Sequence, residues 1–223
     1  MATTSRQPVG RPKDESLQGR RREQILEAAA AVFAADGYPN TDVQVIADRL
    51  GLSKGTVYRY FPSKRDLFFG AVDRGVRRLH EAVTAAGDAE ADPLDRIAAC
   101  VRAYLAHFKK NPELVELLIQ ERAEFRDREK SVYFEHRDAK LGPWRGVLAE
   151  LVAAGRLRGV PVERIVDVVG DLMYGTMFTN HFAGRHKPHE AQAADILDVV
   201  FHGVLSDSER RRRPAAPRSK ETR

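Results

Sequence analysis

Apolar residues recur every three to four positions along nearly the whole chain, and nowhere do they alternate over a strand length. Over residues 20–36, Ile25, Leu26, Ala29, Val32 and Phe33 share one face of a helix. Gly37 then ends it, because glycine enters the left-handed conformation of a helix terminus without strain. The segment VQVIADRLGLSKGTVYRYF, residues 43–61, is patterned as two short helices, about 43–50 and 54–60. Its apolar positions are Ile46, Leu50, Leu52, Val57 and Tyr60, and the small Ala47 stands where a second helix passes close by. Gly51 suits a left-handed turn between the two. Thr41 or Asp42 caps the first and Ser53 the second, each side-chain oxygen accepting a free backbone N–H. Pro62 stops the pair, and Ser63 caps a fourth helix that continues toward Leu79. Two short helices held at a steep angle present the second one to the major groove of DNA.

Residues 85–92, AAGDAEAD, shift in composition and read as a hinge or loop. Everything beyond them reads as helix. Asp92-Pro93 and Asn111-Pro112 each set a capping residue before a proline at the first helical position. Leu94, Ile97, Ala98, Val101, Leu105 and Phe108 form one stripe. Leu114, Val115, Leu117 and Leu118, with Phe125, form the next. Trp144, Val147, Leu148, Leu151 and Val152 mark another helix, ended by Gly155. The last two, 161–183 and 188–205, are apolar around much of their circumference. The predicted fold is all-α, with an N-terminal three-helix helix-turn-helix domain and a larger helical domain. The expected organisation is a disordered basic arm at 1–18, the DNA-binding domain at 19–79 with its helix-turn-helix at 43–62, a helical domain at 80–206, and a disordered basic tail at 207–223.

Composition narrows the function. With 223 residues, 43% of them hydrophobic, the chain has ample core, and no run approaches the ~18 apolar residues that cross a bilayer. No signal-peptide pattern opens it, and its single cysteine, Cys100, cannot form an internal disulfide. A cytoplasmic location is therefore expected, with Cys100 as a small core residue. The net charge of +5 is unevenly spread. Residues 1–22 hold six Lys/Arg against two Asp/Glu, and residues 207–223 seven against three. Each end thus carries +4 and the body −3. Basic ends suit a polyanion partner, because neutralised phosphates release counterions. Gly10-Arg11-Pro12-Lys13 resembles the centre of an AT-hook, in which an extended arginine enters the minor groove, but Val9 stands where that motif has another arginine. A plain solvated arm is the favoured reading, with Arg11 kept as a DNA-contact candidate.

The opening helix RREQILEAAAAVFAADGY, then Thr41, then VQVIADRLGLSKGTVYRYFPSKRDLF together resemble the DNA-binding domain of the TetR family of transcription regulators. The likeness covers about a quarter of the chain and is tightest from Gln44 to Leu67. Read from the residues, Val57 and Phe61 point into the small core. Lys54, Gly55, Thr56, Tyr58, Arg59 and Tyr60 then face the groove and its phosphates. Gly55 lets the backbone approach DNA, while Thr56 and Arg59 touch base edges, Thr at a thymine methyl and Arg at guanine acceptors. The resemblance implies that Thr41, Tyr58, Tyr60 and Lys64 grip phosphates, with Gln44 and Ser53 in the same surface. Gly51 to Gly55 also satisfies the G-x-S-x-G pattern of a hydrolase, but that elbow needs a strand before its serine. Ser53 is expected to be a cap and the chain no enzyme.

A lone helix-turn-helix spans few base pairs, so a homodimer on a palindromic operator is expected. The last two helices carry more apolar surface than one core face needs: Val168, Val169, Leu172, Leu197, Val199, Val200, Phe201 and Val204 stand among it. The family implies that they pair with their symmetry mates, and Gly170 and Gly175 permit close approach. Tyr104, Phe108, Phe125, Trp144, Met173, Tyr174, Met177, Phe178 and Phe182 can line an apolar cavity, with Arg122, His107 or His181 orienting a small hydrophobic or aromatic effector. His181, His186 and His189 match no zinc spacing, so no metal and no cofactor is expected. The predicted function is a repressor of operator DNA released by that effector, with an activator of the same fold, or an architectural DNA-binding protein, as alternatives.

Overall fold

The computed structural model describes residues 13–185 and 187–203, which contain helices and connecting turns but no strand. In chain order these are α1 (Lys13–Asp36), α2 (Val43–Arg49), α3 (Lys54–Tyr60), α4 (Lys64–Asp88), α5 (Pro93–Lys110), α6 (Pro112–Glu124), α7 (Val132–Ala153), α8 (Val162–Phe182) and α9 (His189–His202). The N-terminal unit forms because α1 offers Ile25, Leu26, Ala29, Val32 and Phe33 as one buried face. Val43, Ile46 and Ala47 of α2, Val57 of α3, and Leu67 and Phe68 of α4 pack into the same core. Phe33 and Phe68 meet edge to face, with ring centroids 5.1 Å apart. Gly37, at φ +79°, turns the chain out of α1.

The fourth helix is the spine of the molecule. Its first turns pack on α1, and buried Arg74 binds two glutamates of α1, Glu23 and Glu27, at 2.8 Å each. Farther along, a Cβ at Gly75 would lie 2.5 Å from Leu114 Cδ1, and one at Gly87 would lie 2.8 Å from Cys100 Sγ. These two glycines let α6 and α5 sit directly on the spine. Burial pushes the Cys100 thiol up to about 11, and its Sγ donates to the Val83 carbonyl, so it is a core residue.

Four expectations need correction. The first helix starts at Lys13, so residues 13–18 are helical and not part of a disordered arm. Residues 85–88 continue α4, because alanine is a strong helix former and Gly87 meets α5, and no break falls at 79/80. The seventh helix begins at Val132, well ahead of the stripe that Trp144 opens, and carries Pro143 inside it. Asn111 makes no side-chain cap for α6; its Nδ2 donates back to His107 O at 2.7 Å and closes α5. Arg11, the remaining arm and the 207–223 tail lie outside the described residues.

Candidate nucleic-acid interface

The helix-turn-helix is assembled by local hydrogen bonds. Asp42, not Thr41, caps α2: its Oδ1 accepts the Gln44 N–H at 2.9 Å. Gly51 stands at φ +62°, and the Leu52 N–H reaches back to Ala47 O at 2.9 Å, which folds the chain into the turn. Ser53 caps α3 by accepting the Thr56 N–H at 3.1 Å, and its Oγ lies 2.9 Å from Thr56 Oγ1. Ser63 does the same for α4, accepting the Asp66 N–H at 3.0 Å. Val57 is fully buried and Phe61 nearly so; they anchor the middle and the C-terminal end of the short third helix in the domain core.

That anchoring leaves one face of α3 outward. Gly55 and Arg59 are exposed, Lys54 and Thr56 are half-buried, and the rings of Tyr58 and Tyr60 pack against the rim of the core. A Cβ built on Gly55 meets only Ser53 Oγ, at 3.9 Å, so nothing inside the protein requires a glycine there. Lys54 Nζ donates to Asp42 Oδ1 at 2.7 Å. The Gln44 N–H first, and Lys54 after it, hold the Asp42 carboxyl below its usual range. Gln44 itself bonds Asp48 through its side chain at 2.7 Å. Lys64 is tethered beside α3: its Nζ donates to Pro39 O at 3.0 Å and lies 4.9 Å from the centre of the Tyr38 ring. Thr41 is corrected. It is buried, and its hydroxyl donates to Gly37 O at 2.7 Å, so its only O–H shapes the α1–α2 turn and is not offered to a phosphate.

Two features of the interface had no sequence signal. One is the Asp42–Lys54 pair. The other is Arg65, at the start of α4, which lies over Phe125 at 4.9 Å and Phe69 at 5.5 Å while pairing with Asp127 at 3.1 Å. Phe125 belongs to a ring cluster with Tyr38, Phe68 and Phe69. It joins the α1–α2 turn to the end of α6, and Gln120 of α6 adds a 2.8 Å hydrogen bond to Phe33 O.

The expected effector residues divide. Tyr104, Phe108, Met177 and His181 line a cavity of about 120 Å³ between α5, α6, α8 and α9. The others do not reach it. Phe125 sits in the ring cluster, and exposed Arg122 donates to Arg128 O. Met173 is buried against Val101, Leu105 and Ala193, and Phe178 meets Tyr174 edge to face and stacks on Phe182, all three rings outside the cavity lining. Trp144 lies half-buried on α7, and half-buried His107 also stands outside the cavity lining. Asn180 and Gln192, which exchange two amide hydrogen bonds across α8 and α9, line the cavity without having been expected. Among the apolar residues of α8 and α9, Val169 and Leu197 pack inward against Met173 and Ala193. Val168, Leu172, Val199 and Phe201 are exposed, Val200 is half-buried, and Val204 lies outside the described residues. No group of three His, Cys, Asp or Glu able to hold a metal occurs among the described residues, and His186 falls outside them. No helix among them is long and apolar enough to cross a membrane.

An all-α chain that displays a short capped helix above a buried anchor is a helix-turn-helix protein, the class that meets duplex DNA with that second helix. Residues 25–71 match the model described as bacterial regulatory proteins, tetR family. The chain is 34% identical over 101 residues to the transcriptional repressor KstR of Mycobacterium tuberculosis, covering 45% of this chain and 46% of that one. It is 32% identical over 104 residues to the nucleoid occlusion factor SlmA of Vibrio vulnificus, covering 46% and 53%. The matched region thus spans about half the length of these curated relatives. The crystal structure of the regulator FadR from Bacillus subtilis in complex with stearoyl-CoA superimposes with a TM-score of 0.70 at 20% identity, over 82% of this chain and 99% of that one. That likeness extends the shared fold to the second domain.

Proposed function

We propose that the protein is a sequence-specific transcriptional repressor that grips a palindromic operator as a homodimer and lets go when a small molecule enters its second domain. The observation that carries this reading is α3 itself, with Gly55 and Arg59 outward over the buried Val57. Arg59 reads guanine acceptors and Thr56 a thymine methyl, while Lys54, Lys64, Tyr58 and Tyr60 meet phosphates. Dimerisation is supported by the apolar face of α8 and α9, where Val168 is 61% and Val199 49% exposed. A two-fold dimer sets its recognition helices about 34 Å apart, one turn of DNA.

Release follows from linkage. An effector that prefers the arrangement in which the two recognition helices no longer match successive grooves lowers operator affinity by its differential affinity for the two states. A tenfold loss takes about 1.4 kcal/mol. The α6 helix is the route this reading favours, since it borders the cavity and also holds α1 through Gln120. The relatives named as a repressor and as a stearoyl-CoA complex agree with a ligand-released regulator. Gel-shift titration of the full chain against the DNA upstream of its own reading frame tests the proposal. A sequence-specific, salt-sensitive complex is expected, and its absence refutes the reading.

A further inference from the structure

The cavity between α5, α6, α8 and α9 constrains the chemistry of its occupant, an inference that rests on the proposed function. Tyr104, Phe108 and Met177 give it apolar walls, and among the described residues no carboxylate lines it. Around the same space stand Lys109, Arg185, Lys187, His181 and His189. Three of these are already paired: Lys187 with Asp195, His181 with Glu116 and His189 with Glu190. Lys109 and Arg185 have no ion-pair partner among the described residues. Two uncompensated cations beside an apolar wall favour an anion with an apolar body. Arginine in particular matches the two oxygens of a carboxylate.

Size limits that body. The cavity measures about 120 Å³. An engineered cavity of about 150 Å³ holds benzene, whereas sites for drug-sized ligands run to roughly 300–1,000 Å³. We infer that the effector is a small monocarboxylate, with an apolar body of one aromatic ring or a short alkyl chain against Tyr104, Phe108 and Met177 and its carboxylate held by Lys109 and Arg185. The body wedges between α6 and α8.

Calorimetric titration of the full-length protein with benzoate and hexanoate, against benzamide and hexanamide, tests this. The amides keep shape and lose charge. Each carboxylate is expected to bind at least tenfold more tightly than its amide, with a difference that shrinks as salt rises. A Lys109→Gln, Arg185→Gln double variant is expected to abolish that preference while binding operator DNA normally in the absence of ligand. Equal binding of acid and amide, or binding of neither acid, overturns the inference. Should the double variant fail to fold, Met177→Trp serves instead: it fills the apolar end and is expected to remove carboxylate binding, and its retention would overturn the assignment. Operator binding by the ligand-free protein is recorded separately, and its loss counts against the regulator reading alone.

Discussion

Val57 and Arg59 stand two residues apart on one short helix and face opposite ways, one fully buried and one exposed. Gly55 belongs with Arg59. Its surroundings inside the protein would admit a methyl group, so the reason for a glycine is sought outside, in the approach of DNA. Gly55→Ala is therefore expected to leave stability unchanged or raise it by up to about 1 kcal/mol, since alanine favours the helix. Operator affinity is expected to fall about tenfold or more, equivalent to about 1.4 kcal/mol. Thermal unfolding together with a gel shift separates the two effects, and a variant that binds as well as the parent refutes the close-approach role. Asp42 offers a second test, because its Oδ1 serves both the α2 cap and Lys54. Asparagine caps equally well but carries no charge. Asp42→Asn releases Lys54 from its ion pair and should strengthen its phosphate contact, raising operator affinity. Lys54→Gln should make the salt dependence of DNA binding shallower by roughly 0.9 in log–log slope, and an unchanged slope would mean that Lys54 makes no such contact.

At the scale of elements, the connection between the two domains is a matter of how closely helices approach. The Gly75 backbone meets Leu114, whose side chain is 2% exposed and has little room to yield. Gly75→Ala should push α6 off α4 and cost about 1–3 kcal/mol of stability, as overpacking does. Urea denaturation measures that loss. Because α6 also holds α1 through Gln120, the same variant should shift operator affinity, and a stable variant with normal binding would argue that α6 is not the coupling element. The caps at Ser53 and Ser63 were legible in the sequence because each concerns a side chain and a backbone N–H three residues away. The extension of α4 past residue 79 was not. Its stability depends on Gly87 lying against Cys100, a contact between helices.

The whole molecule adds two further expectations. If the exposed face of α8 and α9 joins two copies, a charge at its centre should split them. Val168→Glu with Leu172→Glu is expected to give monomers in sedimentation velocity and to weaken operator binding strongly, since two half-sites are no longer held together. A dimer that survives both substitutions places the interface elsewhere. The second concerns pH. His80 is partly buried between α4 and α7, stacked on His136 at 5.8 Å, with its Nε2 lacking a hydrogen-bond partner. Burial first, then the charges of His136 and Lys140, lower its pKa from 6.5 to about 4. The unfolded chain therefore takes up a proton near pH 6.5 that the folded one refuses. The contribution of His80 is complete above that pH and is lost as pH falls toward about 4. Asp73 faces the same pair, its Oδ1 lying 2.8 Å from His136 Nε2. His80→Phe keeps a ring in the site and should flatten the loss of stability between pH 6.5 and 4.5, read from denaturation midpoints at each pH. An unaltered profile would assign the acid sensitivity to other groups.

The chain by itself determined that it would be helical, where most helices begin and stop, and which short helix stands ready for the groove. Those features depend on spacings of three or four residues and on caps within one turn, so neighbours in sequence decide them. Folding in three dimensions decided what neighbours in sequence could not. It turned Thr41 inward, paired Asp42 with Lys54 across twelve residues, and laid Arg65 over Phe125. It also chose which aromatics border the cavity and which of the apolar residues of α8 and α9 remain exposed. Side chains far apart along the chain meet only once the helices have packed, and their partners are set by that packing.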